Sequence, residues 1–247
     1  MLPRRASLGA RMTTDRTPDA QPSVAVWDVP TRLFHWTLVV LVGLAWVSRK
    51  YGDAGLVWHT WNGYAILVLV VWRVLWGVVG SSTARFSEFF YWPWTSARYA
   101  LDFVMRRPRY FLGHNPLGGS VVFMILGLVG AQGLLGLFSY DDHDDNVGGP
   151  LSSKVADATW AWATKWHLLL FDVLLIIIAL HVAANLLYLV WKRENLIRPM
   201  LTGRKPAADF EDAREARLIG GSRAVACLVI AIVVVLGGVR LAGGRLF

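Results

Sequence analysis

The segment WHLLLFDVLLIIIALH, residues 166–181, is an apolar run with a histidine near each end. The two histidines, His167 and His181, are 14 residues apart. In an α-helix this separation leaves both side chains within roughly 40° of one face and ~21 Å apart along the axis. The hydrocarbon core of a bilayer is ~30 Å thick. The segment is therefore predicted to cross a membrane and to present one imidazole near each side, on the same face.

The composition of the whole chain is typical of a membrane protein. Its 247 residues are 55% hydrophobic and 17% charged, whereas an average soluble domain is about 25% charged. A helix needs ~20 apolar residues to cross a bilayer. Five runs approach this length, and they cover residues 32–49, 57–80, 118–138, 162–190 and 223–242. The predicted fold class is all-α: an integral membrane four-helix bundle with a fifth C-terminal transmembrane helix.

The placement of basic residues predicts the orientation of these helices. Of the 25 lysines and arginines, 18 lie near the start of the first run, between the second and third, or between the fourth and fifth. The loop SYDDHDDN, residues 139–146, is acidic and lies on the opposite side. Because basic residues mark the cytoplasmic side, the N-terminus is predicted to be cytoplasmic, in the inner membrane of a bacterium. The net charge of +8 then reflects topology and contact with anionic membrane lipids, and nucleic acid is not an expected partner.

The same pattern divides the chain into four parts. The expected parts are a disordered basic cytoplasmic arm, a four-helix membrane domain, a cytoplasmic connector and a last helix, at residues 1–24, 25–205, 206–222 and 223–247. Within the membrane domain, the segment TSARYALDFVMRR, residues 95–107, has apolar residues at helical spacing. It predicts an amphipathic helix on the cytoplasmic membrane surface.

Four histidines sort into two levels across the predicted bundle. His35 starts the first run and His181 is near the end of the fourth, so both are predicted at the cytoplasmic level. His59 and His167 are predicted at the periplasmic level. Polar groups within a membrane are costly and usually functional. A zinc site would gather three or four ligands at one depth, whereas two histidines at each of two depths favour two bis-histidine haems.

Further polar residues admit more than one interpretation. Arg73 lies inside the second run; it either binds a haem propionate or extends its side chain to the inner interface. His114 precedes the third run and could bind a propionate or a quinone oxygen, or cap the helix. Glycines 127, 130, 133 and 136 form a stripe on the third run; it either allows close approach of a helix or a flat cofactor or simply reflects the glycine content of membrane helices. The single cysteine, Cys227, excludes a covalently attached c-type haem.

Several motifs resemble one known family. They are VWDVPTRLFHW (26–36), HTWNGY (59–64), RVLWGVVGS (73–81), ARFSEF (84–89), LGHNPLGG (112–119) and ENLIRPMLTGRK (194–205). Together with the histidine pair of the fourth run, they are similar to the bacterial cytochrome b561 family, which includes the b-type cytochrome subunit of nickel–iron hydrogenases. The resemblance runs from about residue 25 to 205.

The resemblance implies a four-helix core holding two haem b groups. In that family one histidine on each of the first two helices and two on the fourth ligate the irons. The resemblance thus implies His35 with His181 as ligands of the cytoplasmic-side haem, and His59 with His167 as ligands of the other. These are the pairs that the two depths predict.

The expected function is transmembrane electron transfer between a periplasmic redox partner and the quinone pool. The partner would be a c-type cytochrome or a hydrogenase-like protein, since the sequence contains no recognisable centre for the partner's chemistry. Three alternatives remain at this point. They are a superoxide:quinone oxidoreductase that acts without a partner, a proton-coupled transporter with histidine relays, and a plain membrane anchor. Whether the chain is itself an enzyme is open.

Overall fold

Helices make up most of the chain. The computed structural model describes residues 22–48, 52–105, 109–141, 147–212 and 215–246. In chain order the elements are β1 (Ser23–Ala25), α1 (Val29–Ser48), α2 (Gly52–Val79), a 3₁₀ turn (Ser82–Ala84), α3 (Phe86–Phe89), α4 (Pro93–Val104), α5 (Pro116–Phe138), β2 (Tyr140–Asp141), β3 (Val147–Gly148), a second 3₁₀ turn (Ser152–Lys154), α6 (Asp157–Trp191), α7 (Ile197–Thr202), β4 (Arg204–Pro206) and α8 (Gly221–Leu241).

Five of these helices are long and apolar enough to cross a membrane. Within the described ranges they are α1, α2 from Leu56, α5, α6 and α8. They confirm the five predicted spans and make the chain a multi-pass membrane protein. We call the end of the bundle where α1 begins the inner end and the opposite end the outer end.

The packing order of the helices leaves a space beside α6. Helix α1 packs against α2, α2 against α5, and α5 against α6. Within the described residues, α6 makes no comparably close packing with α1 or α2. The helices that carry the predicted histidine pairs are therefore the ones that stand apart.

Two side-chain caps determine where α1 and α5 begin. The Asp28 carboxylate accepts a hydrogen bond from Thr31 N at 2.7 Å, which satisfies one of the free N–H groups of the first turn of α1. Asn115 Oδ1 accepts from Gly118 N at 2.8 Å, and Pro116 follows at a position where its missing N–H costs nothing. The cap of α5 is therefore Asn115, and the interpretation of His114 as a helix cap is wrong.

Short strands and the helix α4 lie at the inner end. Strand β1 pairs antiparallel with β4, with Val24 opposite Lys205. Two residues assigned to the N-terminal arm thus belong to a strand, and residues 1–21 lie outside the described residues. Helix α4 ends at Val104, so the predicted helix is present, while residues 106–108 lie outside the described part. Its position on a membrane surface stays a prediction.

Helix α8 packs along α2 on the side away from α6. Trp72 Nε1 donates a hydrogen bond to Ala224 O at 3.0 Å, and Tyr64 Oη donates to Arg245 O at 3.3 Å, so the two helices are antiparallel. The buried stripe of α8 begins with Ala224, Cys227 and Ala231, and such small residues allow close helix packing. The fifth helix is therefore integrated into the bundle.

Candidate functional site

The outer end brings two of the predicted histidines face to face. His59 of α2 and His167 of α6 have ring centroids 6.0 Å apart, with their planes at 82°. Because α2 and α6 are not closely packed, the rings meet across an internal space. This is the first of the two pairs that the sequence predicts.

Each of these rings is oriented by a backbone carbonyl. His59 Nδ1 lies 3.1 Å from Ala45 O and His167 Nδ1 lies 3.0 Å from Gln132 O. A carbonyl oxygen only accepts hydrogen bonds, so Nδ1 carries the proton and Nε2 keeps its lone pair. A metal-ligating histidine is typically held in this way, by a second-shell acceptor on the nitrogen that does not bind the metal.

Glycines shape the cavity around the pair. The cavity measures about 190 Å³ and is lined by both histidines and by Gly63, Gly133 and Gly136, among others. A Cβ added at Gly136 would lie 3.0 Å from His167 Cε1, so a larger residue there would displace the ring. A Cβ at Gly63 would meet no atom within 4 Å and would extend into open space. The glycines on α2 and α5 leave room along the cavity, which suits a flat, mostly apolar group.

A short hairpin covers the outer mouth of this cavity. Strands β2 and β3 pair with Tyr140 opposite Gly148, and Tyr140, Gly148 and Gly149 line the cavity. Gly149 N donates to Ser139 O at 2.7 Å and Leu151 N to Leu137 O at 2.9 Å. A Cβ at Gly149 would overlap the carbonyl oxygen of Gly136, so only glycine lets the hairpin approach α5 this closely. His143 lies outside the described residues.

The inner end brings the second pair together less tightly. His35 of α1 and His181 of α6 are near enough to interact electrostatically. His35 Nδ1 is buried without a hydrogen-bond partner. Asn185 Nδ2 donates to His181 O at 2.7 Å and lies 3.3 Å from His181 Nε2. Neither inner ring has the carbonyl anchor that orients the outer two.

A buried cation lies beside the inner pair. The Arg73 side chain is 3% exposed, and its Nη1 has no hydrogen-bond partner. Its guanidinium carbon lies 4.8 Å from the centroid of Phe86. The buried Asp28 carboxylate is near enough to interact electrostatically with Arg73, but a buried guanidinium nitrogen that lacks a hydrogen-bond acceptor is still unfavourable. The site therefore suits a group that brings negative charge, and the carboxylates of a haem have that chemistry.

His114 lies in the same cluster. Its ring is held between Trp27, at 4.7 Å, and Phe89, at 4.5 Å. Burial, followed by the charges of Arg73 and the two inner histidines, lowers the pKa of His114 to about 3. The imidazole is thus neutral near pH 7, and its Nδ1 has no partner. The structure brings together Arg73, His114, His35 and His181.

An apolar layer separates the two levels. Ile66, Val129 and Leu174 form a buried cluster with exposures of 8%, 2% and 2%. Ile66 is seven residues from His59, and Leu174 is seven residues from both His167 and His181. The layer is therefore at mid-depth, and the histidines form two separate sites.

One polar residue of the outer site was missed by the sequence analysis. Gln132 Nε2 donates to His167 O at 2.8 Å, while the carbonyl of the same residue accepts from the His167 ring. Gln132 therefore clamps α5 to α6 at the histidine. A polar residue such as glutamine within an apolar membrane helix usually has a function. This signal in the sequence could have identified Gln132 as part of the site.

The chain is a helical-bundle membrane protein with two pairs of histidines, one of them oriented by backbone carbonyls, and its sequence matches a known family. Residues 26–203 match the family described as prokaryotic cytochrome b561. This match covers well over half of the chain, and the protein belongs to that family. It is therefore a b-type cytochrome of electron transport, and the donor set and glycine walls described above fit the haem b that this class carries.

Similar proteins have been named in three bacteria. A protein of Azotobacter vinelandii is 27% identical over 222 residues, covering 74% of this chain and 88% of that protein. One of Rhizobium leguminosarum bv. viciae is 24% identical and covers 77% and 92%. One of Rhodobacter capsulatus is 24% identical and covers 81% and 90%. Each is named a probable Ni/Fe-hydrogenase B-type cytochrome subunit.

Proposed function

We propose that this chain carries electrons across the membrane through two bis-histidine haem b groups. His59 and His167 would ligate the outer iron, and His35 and His181 the inner one. The observation that carries the proposal is the outer pair, in which two imidazoles face each other across a glycine-walled cavity with both Nδ1 atoms anchored. An imidazole protonated at Nδ1 offers Nε2 as a ligand, and imidazole nitrogen is a suitable ligand for haem iron.

The protein's own residues orient and isolate the two sites. When bound, the haem supplies one-electron iron chemistry, which belongs to the cofactor. The carbonyls of Ala45 and Gln132 hold the outer imidazoles in the tautomer with the proton on Nδ1, in which Nε2 is the nitrogen able to ligate a metal. The buried apolar side chains of Ile66, Val129 and Leu174 lie between the two levels and would limit the access of water there. Low water access favours fixed potentials and small reorganisation at both sites.

Arg73 and His114 would bind the propionates of the inner haem. Arg73 offers a buried guanidinium with an unpartnered Nη1, and His114 an unpartnered Nδ1. A carboxylate is the best partner for a guanidinium, since it accepts charge-assisted hydrogen bonds. The propionate alternative for both residues explains why these buried polar atoms lack partners within the protein.

The proposed partners follow from the relatives and from charge. The relatives are named as hydrogenase cytochrome subunits, so a hydrogenase-like protein or a c-type cytochrome on the periplasmic side is the proposed donor or acceptor. The quinone pool is the proposed partner at the inner site. The proposed orientation has the inner end facing the cytoplasm of a bacterium, since basic residues concentrate at that end and such residues mark the cytoplasmic side of membrane proteins.

The apolar layer argues against a histidine relay. A proton-coupled transporter would need polar groups along a continuous path, whereas the side chains of Ile66, Val129 and Leu174 between the two levels are apolar and buried. Proton movement between the levels is therefore not supported by the packing. Two isolated sites suit electron transfer, which crosses apolar protein without a polar path.

The proposal is tested by transfer across a sealed membrane. The chain would be reconstituted into liposomes that enclose an oxidised soluble acceptor, and a membrane-impermeant reductant would be added outside. We expect reduction of the enclosed acceptor by the wild type and its loss in His167→Ala. Equal rates in wild type, His167→Ala and empty liposomes would contradict the proposal. Quinone reduction driven by superoxide alone would instead favour the partner-free alternative.

A further inference from the structure

The C-terminal residues touch both histidine levels, although the family match ends at residue 203. We propose that residues 204–212 and 215–246, here called the C-terminal strap, position the two haem sites separately, one from each end. The inner anchor is Asp212, and the outer anchor is the tail after α8. This inference rests on the proposed two-haem function.

The inner anchor is a carboxylate that holds the turn before His114. Asp212 Oδ1 accepts from Leu112 N at 2.6 Å, and Oδ2 accepts from Gly113 N at 2.9 Å. Both oxygens are thus used by two successive backbone N–H groups, and the next residue is His114. Hydrogen bonds to a charged acceptor are stronger than neutral ones. Asp212 therefore restricts the backbone that places His114 beside the inner pair.

A second tie from the strap supports the same loop. Lys205 is 8% exposed, and its ammonium donates to Phe111 O at 2.8 Å. The same ammonium pairs with Glu194 Oε1 at 2.7 Å. Lys205 therefore joins the strap both to the loop before α5 and to the chain that follows α6. Both Asp212 and Lys205 therefore attach the strap to the loop before α5.

The outer anchor is the tail that follows α8. Tyr64 is 3% exposed, and its hydroxyl donates to Arg245 O at 3.3 Å. Its neighbour in sequence, Gly63, lines the outer cavity. A Cβ at Gly244 would lie 2.9 Å from Leu151 Cδ2, so the tail also packs on the chain that follows the hairpin. The tail thus contacts α2 beside the outer cavity, and it contacts Leu151, which follows the β2–β3 hairpin.

Helix α8 connects the two anchors along α2. The Trp72–Ala224 hydrogen bond and the buried cluster that contains Trp76 and Cys227 fix the register of α8 on α2. The anchors are at opposite ends of this helix. Each anchor should therefore influence the haem level that it contacts and leave the other unchanged.

The inner anchor is tested by comparing Asp212→Ala with Asp209→Ala. Asp209 is an exposed carboxylate in the same connector and serves as the matched control. We expect Asp212→Ala to shift the midpoint potential and the ferric EPR g values of the inner haem, with the outer haem unchanged. Asp209→Ala should match the wild type. Asp212→Asn keeps one acceptor oxygen and should restore the inner signals in part.

The outer anchor is tested by a chain that ends after Ala242, compared with Arg240→Ala. Arg240 is exposed on α8, so its replacement removes one positive charge and keeps the tail. Loss of the tail should admit water to the outer site, and a more polar site favours the ferric form. We expect a lower midpoint potential for the outer haem only. Tyr64→Phe removes a single hydroxyl and should shift the same signal less.

Several results would contradict the proposal that the C-terminal strap positions the two haem sites. Unchanged potentials and EPR signals in both Asp212→Ala and the shortened chain would do so, and so would equal shifts of both haems in either variant. A wild-type protein with fewer than two haems would instead contradict the proposed function, and the two failures are therefore distinguishable. Haem counts, redox titration and EPR are measured on the same purified samples.

Discussion

His59 and His167 face each other with ring centroids 6.0 Å apart, although they are 108 residues apart in sequence. Their Nδ1 atoms are each within 3.1 Å of a carbonyl oxygen. The pair at the inner end has no such anchors; it has a buried arginine and a neutral histidine beside it instead. The two levels therefore differ in which protein groups surround and orient the paired histidines.

Replacement of Gly136 by leucine should disrupt the outer site. A Cβ at this position would lie 3.0 Å from His167 Cε1, and the larger side chain would force the imidazole out of place. We expect loss or marked broadening of the outer haem's EPR signal, with the inner signal retained. Gly127→Leu is the control, because a Cβ there meets no atom within 4 Å. Equal effects of the two substitutions would show that Gly136 has no special role.

Replacement of Arg73 by glutamine should lower the midpoint potential of the inner haem. A nearby positive charge disfavours the oxidised form, which carries one more positive charge, so its removal favours oxidation. A tenfold change in a one-electron equilibrium corresponds to about 59 mV, and we expect a shift on this order. Arg98→Gln, at an exposed position on α4, should have no effect. A redox titration in which only the outer component moves would contradict the assignment.

Replacement of Trp72 by phenylalanine should loosen α8 without removing haem. The change removes the indole N–H that donates to the Ala224 carbonyl, and the loss of one such hydrogen bond costs roughly 0.5–1.5 kcal/mol. We expect a lower midpoint temperature of thermal unfolding in detergent, followed by circular dichroism. Trp94→Phe is the control, since Trp94 is 66% exposed. An unchanged midpoint for Trp72→Phe would mean that this hydrogen bond does not stabilise the packing of α8.

Much of the bundle could be predicted because its signals are local. An apolar run of the length of α6 has few alternatives to a membrane span, and the 14-residue separation of His167 and His181 sets their relative direction by helical geometry alone. The depth of His59 follows from its position at the start of a run. These inferences need no knowledge of which helices are neighbours.

The remaining features depend on contacts between distant parts of the chain. The carbonyl of Gln132 meets the His167 ring only because α5 and α6 pack in a particular rotation, and hydropathy does not specify rotation. Asp212 binds a turn 99 residues earlier and looks like any solvated carboxylate in the sequence. The position of the β2–β3 hairpin depends on Gly149, whose role is a close backbone approach that no spacing reveals.

The most direct test of the account is a reduced-minus-oxidised spectrum with haem counted per chain. It would be recorded on detergent-purified wild type and on alanine variants at His35, His59, His167 and His181. We predict two b haems in the wild type, loss of the inner haem in the variants at 35 and 181, and loss of the outer haem in those at 59 and 167. Properly folded wild-type protein without haem, or variants that lose haem in other pairs, would contradict the account.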